Sequence, residues 1–186
     1  MISKGATMQA KDFLLCFDRL IDHEGGFQKN PDDRGNWTSG EVGVGGLKGT
    51  KFGISAMSYP RLDIENLTLD DAKGIYWQDF WLRMRCPEFH LAIGYQLFDI
   101  AVNSGPGNSI RMLQRAVEVA DDGSVGPITR EAVISMDVDD VLCLINAERL
   151  EFCSKLSTWN IFGRGWARRI AKNLRLGAQD TPDRVG

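Results

Sequence analysis

At 186 residues, with 43% hydrophobic and 25% charged side chains, the chain has the composition of a folded globular protein and not of a disordered one. A formal charge of −3 argues against a polypeptide built to coat nucleic acid, and the length supports a core without disulfide staples. The N-terminal stretch is apolar but broken by Lys11, Asp12, Asp18, Arg19 and Asp22, which fits neither a signal-peptide core nor a membrane anchor. Synthesis in the cytoplasm is therefore expected, with access to anything outside depending on another factor. Phe13, Leu14, Phe17, Leu20 and Ile21 recur at helical spacing, so a first helix is expected from about Gln9 to Glu24, stopped by Gly25-Gly26.

Residues 25–66 are rich in glycine and read as a loop lobe, with short stretches Glu41–Val44 and Lys51–Ile54 able to form a small hairpin or irregular strands. Thr68 followed by Asp71 is a capping pair for a helix through Ala72, Ile75, Tyr76 and Phe80. Leu91–Val102 is apolar on every face except for Gln96 and Asp99, which places it at the centre of a fold, with Asp99 as a buried, satisfied carboxylate. Gly105-Pro106-Gly107 ends that helix. Further helices are predicted over Ser109–Val119, Pro127–Ser135, Asp139–Leu156 and Gly165–Leu174, with Asp121-Asp122-Gly123-Ser124 as turn chemistry.

The predicted architecture is a mainly α, single helical domain over residues 1–186, with a small glycine-rich lobe near the N-terminus. Residues 10–90 form its first half and 91–175 its second. Cys16, Cys143 and Cys153 fall in helical patterns and suit small buried hydrophobes, and Cys86 completes the four. No CxxC and only His23 and His90 leave no metal site or cofactor to expect.

Chemistry concentrates in the lobe. Glu24 closes a helix, where the macrodipole disfavours a carboxylate, and Gly25 and Gly26 let a ligand come close. Both raise the cost of ionising Glu24, as a general acid near neutral pH requires. Glycosidic cleavage pairs such an acid with a second, ionised carboxylate. Asp33, in a polar turn beside Arg34, suits that part, and Asp32 is the alternative. Trp37 and Phe52, with Phe27 and Tyr59, are candidates for stacking on sugar rings or for closing the lobe.

Glu24-Gly25-Gly26, Pro31-Asp32-Asp33-Arg34-Gly35 and Thr50-Lys51-Phe52-Gly53-Ile54-Ser55 together resemble the N-terminal signature of the muramidases of glycoside hydrolase family 108. The likeness continues through Phe98–Gly105, Leu113–Ala116, Asp122–Thr129 and Gly163–Arg169, covering roughly residues 10–175. It implies a lysozyme-like fold and cleavage of the β-1,4 bond between N-acetylmuramic acid and N-acetylglucosamine in peptidoglycan, for lysis of a bacterial host. It also implies Glu24 as acid, Asp33 as the water-positioning carboxylate and Thr50 as a hydroxyl that holds water. Gly25, Gly26, Asp32, Trp37, Phe52 and Gly53 would line the substrate.

This chain departs from the pattern through an insertion over Asn36–Gly49, so Thr38 competes with Thr50. Lys51-Phe52-Gly53-Ile54 favours Thr50. The alternatives are a lytic transglycosylase or chitinase of the same fold, and a non-catalytic peptidoglycan-binding secretion helper. Peptidoglycan is the expected partner of a monomer. The bases Arg164, Arg168, Arg169, Lys172 and Arg175 offer a second contact, to an anionic wall or membrane surface.

Overall fold

The computed structural model describes residues 4–21 and 26–181, and among these seven α-helices stand against one two-stranded sheet. The mainly α expectation holds. The chain divides into two units, residues 1–77 and 78–186.

In the first unit, α1 (Lys4–Leu20) begins earlier than the expected Gln9. It buries Phe13, Cys16 and Phe17 and leaves Leu14 and Leu15 exposed, so Leu14 falls off the apolar face assigned to it. The i, i+4 pair Phe13 and Phe17 meets the end of α2 (Leu69–Tyr76). Phe13 lies edge-on to Trp77 at 5.0 Å and Phe17 edge-on to Tyr76 at 5.5 Å. Thr68 and Asp71 close a full capping box at the start of α2, as their spacing predicts.

Between the helices, β1 (Thr50–Lys51) and β2 (Ile54–Ser55) form an antiparallel hairpin with Lys51 opposite Ile54. Gln28 bridges to Thr50 on the other side of β1. The turn residues Phe52 and Gly53 have φ of 51° and 76°. Positive φ at both positions suits the right-handed twist of a two-residue hairpin. Phe52 occupies a region that costs a side-chain residue energy. Tyr76 offsets this by donating its hydroxyl to the Phe52 carbonyl. Gly53 is obligatory twice over, since a Cβ there would sit 2.5 Å from the Tyr76 oxygen. Glu41–Val44 is not the expected strand. It forms the tip of the insertion, where Thr38 and Gly46 pair backbones, the Thr38 hydroxyl accepts from the Gly46 N–H, and Ser39 binds the carbonyls of Glu41 and Val44.

A π-helical turn, Trp77–Leu82, leads the chain onward from α2. In the second unit α3 (Leu91–Ser104) is buried on every side from Ala92 to Ala101, as its sequence requires. Leu97, Phe98 and Ile100 are wholly buried there, each contributing ~1.5–3 kcal/mol relative to exposure. Around α3 pack α4 (Pro106–Ala116), α6 (Val138–Ser154) and α7 (Trp159–Asp180), while α5 (Pro127–Ser135) has the predicted bounds.

The helix α4 starts at Pro106, not Ser109, because proline suits a first helical position and Gly105, at φ 86°, makes the sharp turn. The helix α7 runs well past Gly165–Leu174 at both ends. Its glycines are packing contacts: a Cβ at Gly163 would lie 2.7 Å from the Trp159 ring and one at Gly177 2.5 Å from Leu142. Cys16, Cys86 and Cys153 are buried, but Cys143 is exposed, because α6 turns Leu142, Ile145 and Asn146 inward instead.

Asp99 is the satisfied carboxylate expected. Arg169 binds both its oxygens through Nε and Nη2, Asn173 donates at 2.7 Å and Arg149 at 2.7 Å. Burial pushes the carboxyl upward, but the two guanidinium groups outweigh it and hold Asp99 below its ordinary value. In the turn after α4, the Asp122 carboxylate accepts from Ser124 N and from Gln114, which is turn chemistry as predicted. Among the described residues no helix is long and apolar enough to cross a membrane.

Candidate functional site

Glu24 and Gly25 lie outside the described residues; Gly26, which follows them, is exposed. The rest of the predicted constellation falls in the first unit, on the segment from Gln28 to Ser55.

Asp33 begins a 3₁₀ turn over Arg34–Asn36 and caps it, with Oδ1 accepting from Gly35 N at 2.8 Å. Its other oxygen accepts from Gln28 Nε2 at 3.1 Å. Both oxygens are therefore held by N–H donors and the carboxylate has a fixed direction, although the residue itself is exposed. The turn also carries Asn36 into the interior, where it is 0% exposed.

Asn36 and Gln28 form a reciprocal amide pair: Asn36 Nδ2 donates to Gln28 Oε1 at 2.8 Å, and Gln28 Nε2 donates to Asn36 Oδ1 at 3.1 Å. The second proton of Asn36 Nδ2 goes to the Asn30 carbonyl at 2.9 Å. Thr50 Oγ1 donates to Asn36 Oδ1 at 2.7 Å. Every side-chain donor and acceptor of Asn36 is thus used, as burial demands.

A continuous chain runs Asp33–Gln28–Asn36–Thr50, and it spans the insertion. Lys48 N and Gly49 N both donate to the Asn36 carbonyl, so the 36–49 loop is closed at its root by the same residue. Gly49 has φ 86°, and a Cβ there would lie 2.5 Å from the Gln28 carbonyl, so the strand can approach residue 28 only as glycine.

The geometry has a chemical consequence. A hydroxyl has one proton, and that of Thr50 is committed to Asn36, so its oxygen can only accept from anything else that approaches. Water offered to this position presents an O–H to Thr50 and leaves a lone pair free. Asp33 is joined to the same network through Gln28.

The rival residues behave differently. Thr38 spends its hydroxyl closing the insertion onto Gly46. Asp32 receives an Asx-type contact at its backbone, from Asp32 N to Asn30 Oδ1, and its carboxylate makes no hydrogen bond among the described residues. Trp37 is half-buried and uses its indole N–H on the Pro31 carbonyl at 2.8 Å. Phe52 and Gly53 are the hairpin turn already described, with Lys51 Nζ 5.5 Å from the Phe52 ring centre. Beside this strand lies a cavity of about 230 Å³ whose lining includes Lys29, Leu47, Lys48 and Arg61.

Gln28 and Asn36 are the residues that sequence reasoning missed. Neither belongs to a periodic pattern, and the signal that could have pointed to Asn36 was only its place between a helix-capping Asp and the closing glycine of an insertion. No cluster of His, Cys, Asp and Glu suited to a metal ion occurs among the described residues.

Residues 17–105 match the glycosyl hydrolase 108 family. No curated protein matches the sequence. Among solved structures the chain is similar to SagA of Brucella abortus, at 25% identity and a TM-score of 0.75, over 96% of this chain and 98% of that one. This similarity bears out the lysozyme-like fold class expected from the sequence.

Proposed function

We propose that this chain, which carries a glycosyl hydrolase 108 segment at residues 17–105, is an N-acetylmuramidase that hydrolyses the glycan strand of peptidoglycan. The observation that carries the proposal is the hydrogen-bonded chain joining Asp33 to Thr50 through Gln28 and Asn36. It ties together two of the three residues that the family resemblance assigns to catalysis, across an insertion that separates them in sequence.

In the proposed reaction Glu24 donates its proton to the bridging oxygen as the C1–O bond of N-acetylmuramic acid breaks. A water accepted at Thr50 and deprotonated by Asp33 forms the new bond to C1. The proton lost by Glu24 and the proton gained by Asp33 balance, and solvent restores both groups before the next turnover. The fixed acceptor at Thr50 supports hydrolysis over transglycosylation, since the latter makes no use of a positioned water. Gly26, two residues before Gln28, and the half-buried ring of Trp37, next to Asn36, would meet the sugars.

The test is release of reducing ends from purified peptidoglycan. Wild type should release them. Glu24→Gln should be slower by ~10²–10⁴-fold, the usual contribution of a general acid, with an unchanged melting curve. Near-wild-type release by Glu24→Gln would remove Glu24 from the mechanism.

A further inference from the structure

We propose that the solvent face of α7 is a docking surface for an anionic lipid bilayer, a function separate from glycan cleavage. The helix spans 22 residues, Trp159–Asp180. Gly163, Ile170, Asn173 and Gly177 form its buried side. On the opposite side Ile161, Arg164, Arg168, Lys172 and Arg175 follow one another at intervals of three or four residues, so they share one stripe. All five are exposed.

None of the four cations pairs with an acid among the described residues, and the helix holds no acid before its last residue, Asp180. The fifth base of the run, Arg169, turns the other way and is consumed by Asp99. The stripe is not a by-product of general basicity, because the chain carries a net charge of −3. Four like charges on one helix face repel one another, at a few tenths of a kcal/mol per neighbouring pair, and an external anion would relieve that repulsion.

The apolar end of the stripe selects among anions. Ile161 is 73% exposed and Phe162 53% exposed. Phe162 packs tilted against Trp166 at 5.9 Å, and Trp166 against Trp159 at 6.1 Å, so the start of α7 is an aromatic cluster whose outer edge faces water. A wall polyanion or a nucleic acid would neutralise the four cations and leave Ile161 and Phe162 hydrated. A bilayer accommodates both, with phosphates against the bases and the apolar pair at the acyl boundary.

Each base near such a surface strengthens partition about five-fold at low salt, so four of them give an effect on the order of several hundred-fold. Screening at high ionic strength should remove most of it.

The experiment is co-sedimentation of the full chain with vesicles of phosphatidylcholine alone or with 30% phosphatidylglycerol, at low and high salt. Wild type should bind the anionic vesicles at least ten-fold more tightly than the neutral ones and release at high salt. The variant Arg164→Gln/Arg168→Gln/Lys172→Gln/Arg175→Gln should lose that binding while melting as wild type. The salt dependence of the wild type reads the same charge if that variant misfolds. Ile161→Ser/Phe162→Ser should weaken vesicle binding severalfold and leave adsorption to purified cell wall unchanged. Equal binding to neutral and anionic vesicles, retention by the charge variant, or no effect of the Ile161/Phe162 pair on vesicles overturns the proposal. Hydrolysis of purified peptidoglycan should be unaffected by either variant, which separates this claim from the muramidase reading.

Discussion

Replacing Asn36 with alanine removes one side chain and four hydrogen bonds: one to and one from Gln28, one to the Asn30 carbonyl and one from Thr50. A typical bond of this kind contributes ~1 kcal/mol net, and a buried group left unpaired costs ~1–3 kcal/mol. Gln28 and Thr50 lie near enough to the surface for water to replace part of what they lose, so a loss of ~2–3 kcal/mol is expected. The effect on activity should be of similar size to the effect on folding and separable from it. Without Asn36 the Thr50 hydroxyl is free to turn its proton toward the substrate, and Gln28 no longer holds Asp33 in place. Misplacement of this order costs ~10²-fold in rate. Urea unfolding reads the first quantity, and reducing-end release from peptidoglycan, at a temperature where both proteins are folded, reads the second. A variant within ~0.5 kcal/mol of wild type and with full activity would refute the claim that Asn36 organises the site.

Three further outcomes follow from the same geometry. Asp33→Ala and Thr50→Ala should lose far more activity than Asp32→Ala and Thr38→Ala at similar melting temperature, and the reverse ranking in either pair would mean that the insertion has been misassigned. Asp99→Asn strips the anion from between Arg149 and Arg169 and should cost ~3–5 kcal/mol in thermal or chemical unfolding. Because the folded Asp99 carboxyl is held below its ordinary value of 3.8, its contribution is full above that pH and is lost as the pH falls below it. The wild-type stability curve should therefore drop in that acid range more steeply than that of Asp99→Asn. Gly177→Val would drive a side chain into Leu142 and should destabilise by ~1–3 kcal/mol, with peptidoglycan cleavage intact below the melting temperature.

The second unit was largely legible in the sequence because its signals are local or periodic. The all-apolar run of α3 could only be central and Pro127 marked a helix start, and in the first unit the Thr68/Asp71 spacing wrote its own cap. The same rules placed only Gly165–Leu174 of α7 in a helix and missed its first turns from Trp159. Gly163 sits in the helix because an indole from Trp159 packs against it, which propensity alone does not register. In the lobe, Asp33 and Thr50 could be named from their motif, but their joint position could not. It depends on a buried amide pair between Gln28 and Asn36, and nothing near Asn36 in sequence distinguishes a buried asparagine from one in an exposed turn. The insertion closes on Asn36 through backbone groups, which carry no sequence signal.

In the proposed mechanism, water placed by Thr50 and Asp33 attacks the glycan as Glu24 protonates the leaving oxygen. Digestion of purified peptidoglycan in ¹⁸O-labelled water, followed by mass spectrometry of the products, tests it most directly. Fragments ending in reducing N-acetylmuramic acid should carry one ¹⁸O from the cleavage, and Glu24→Gln should form them ~10²–10⁴-fold more slowly. Fragments ending in anhydro-N-acetylmuramic acid without label, or label at reducing N-acetylglucosamine, would contradict it.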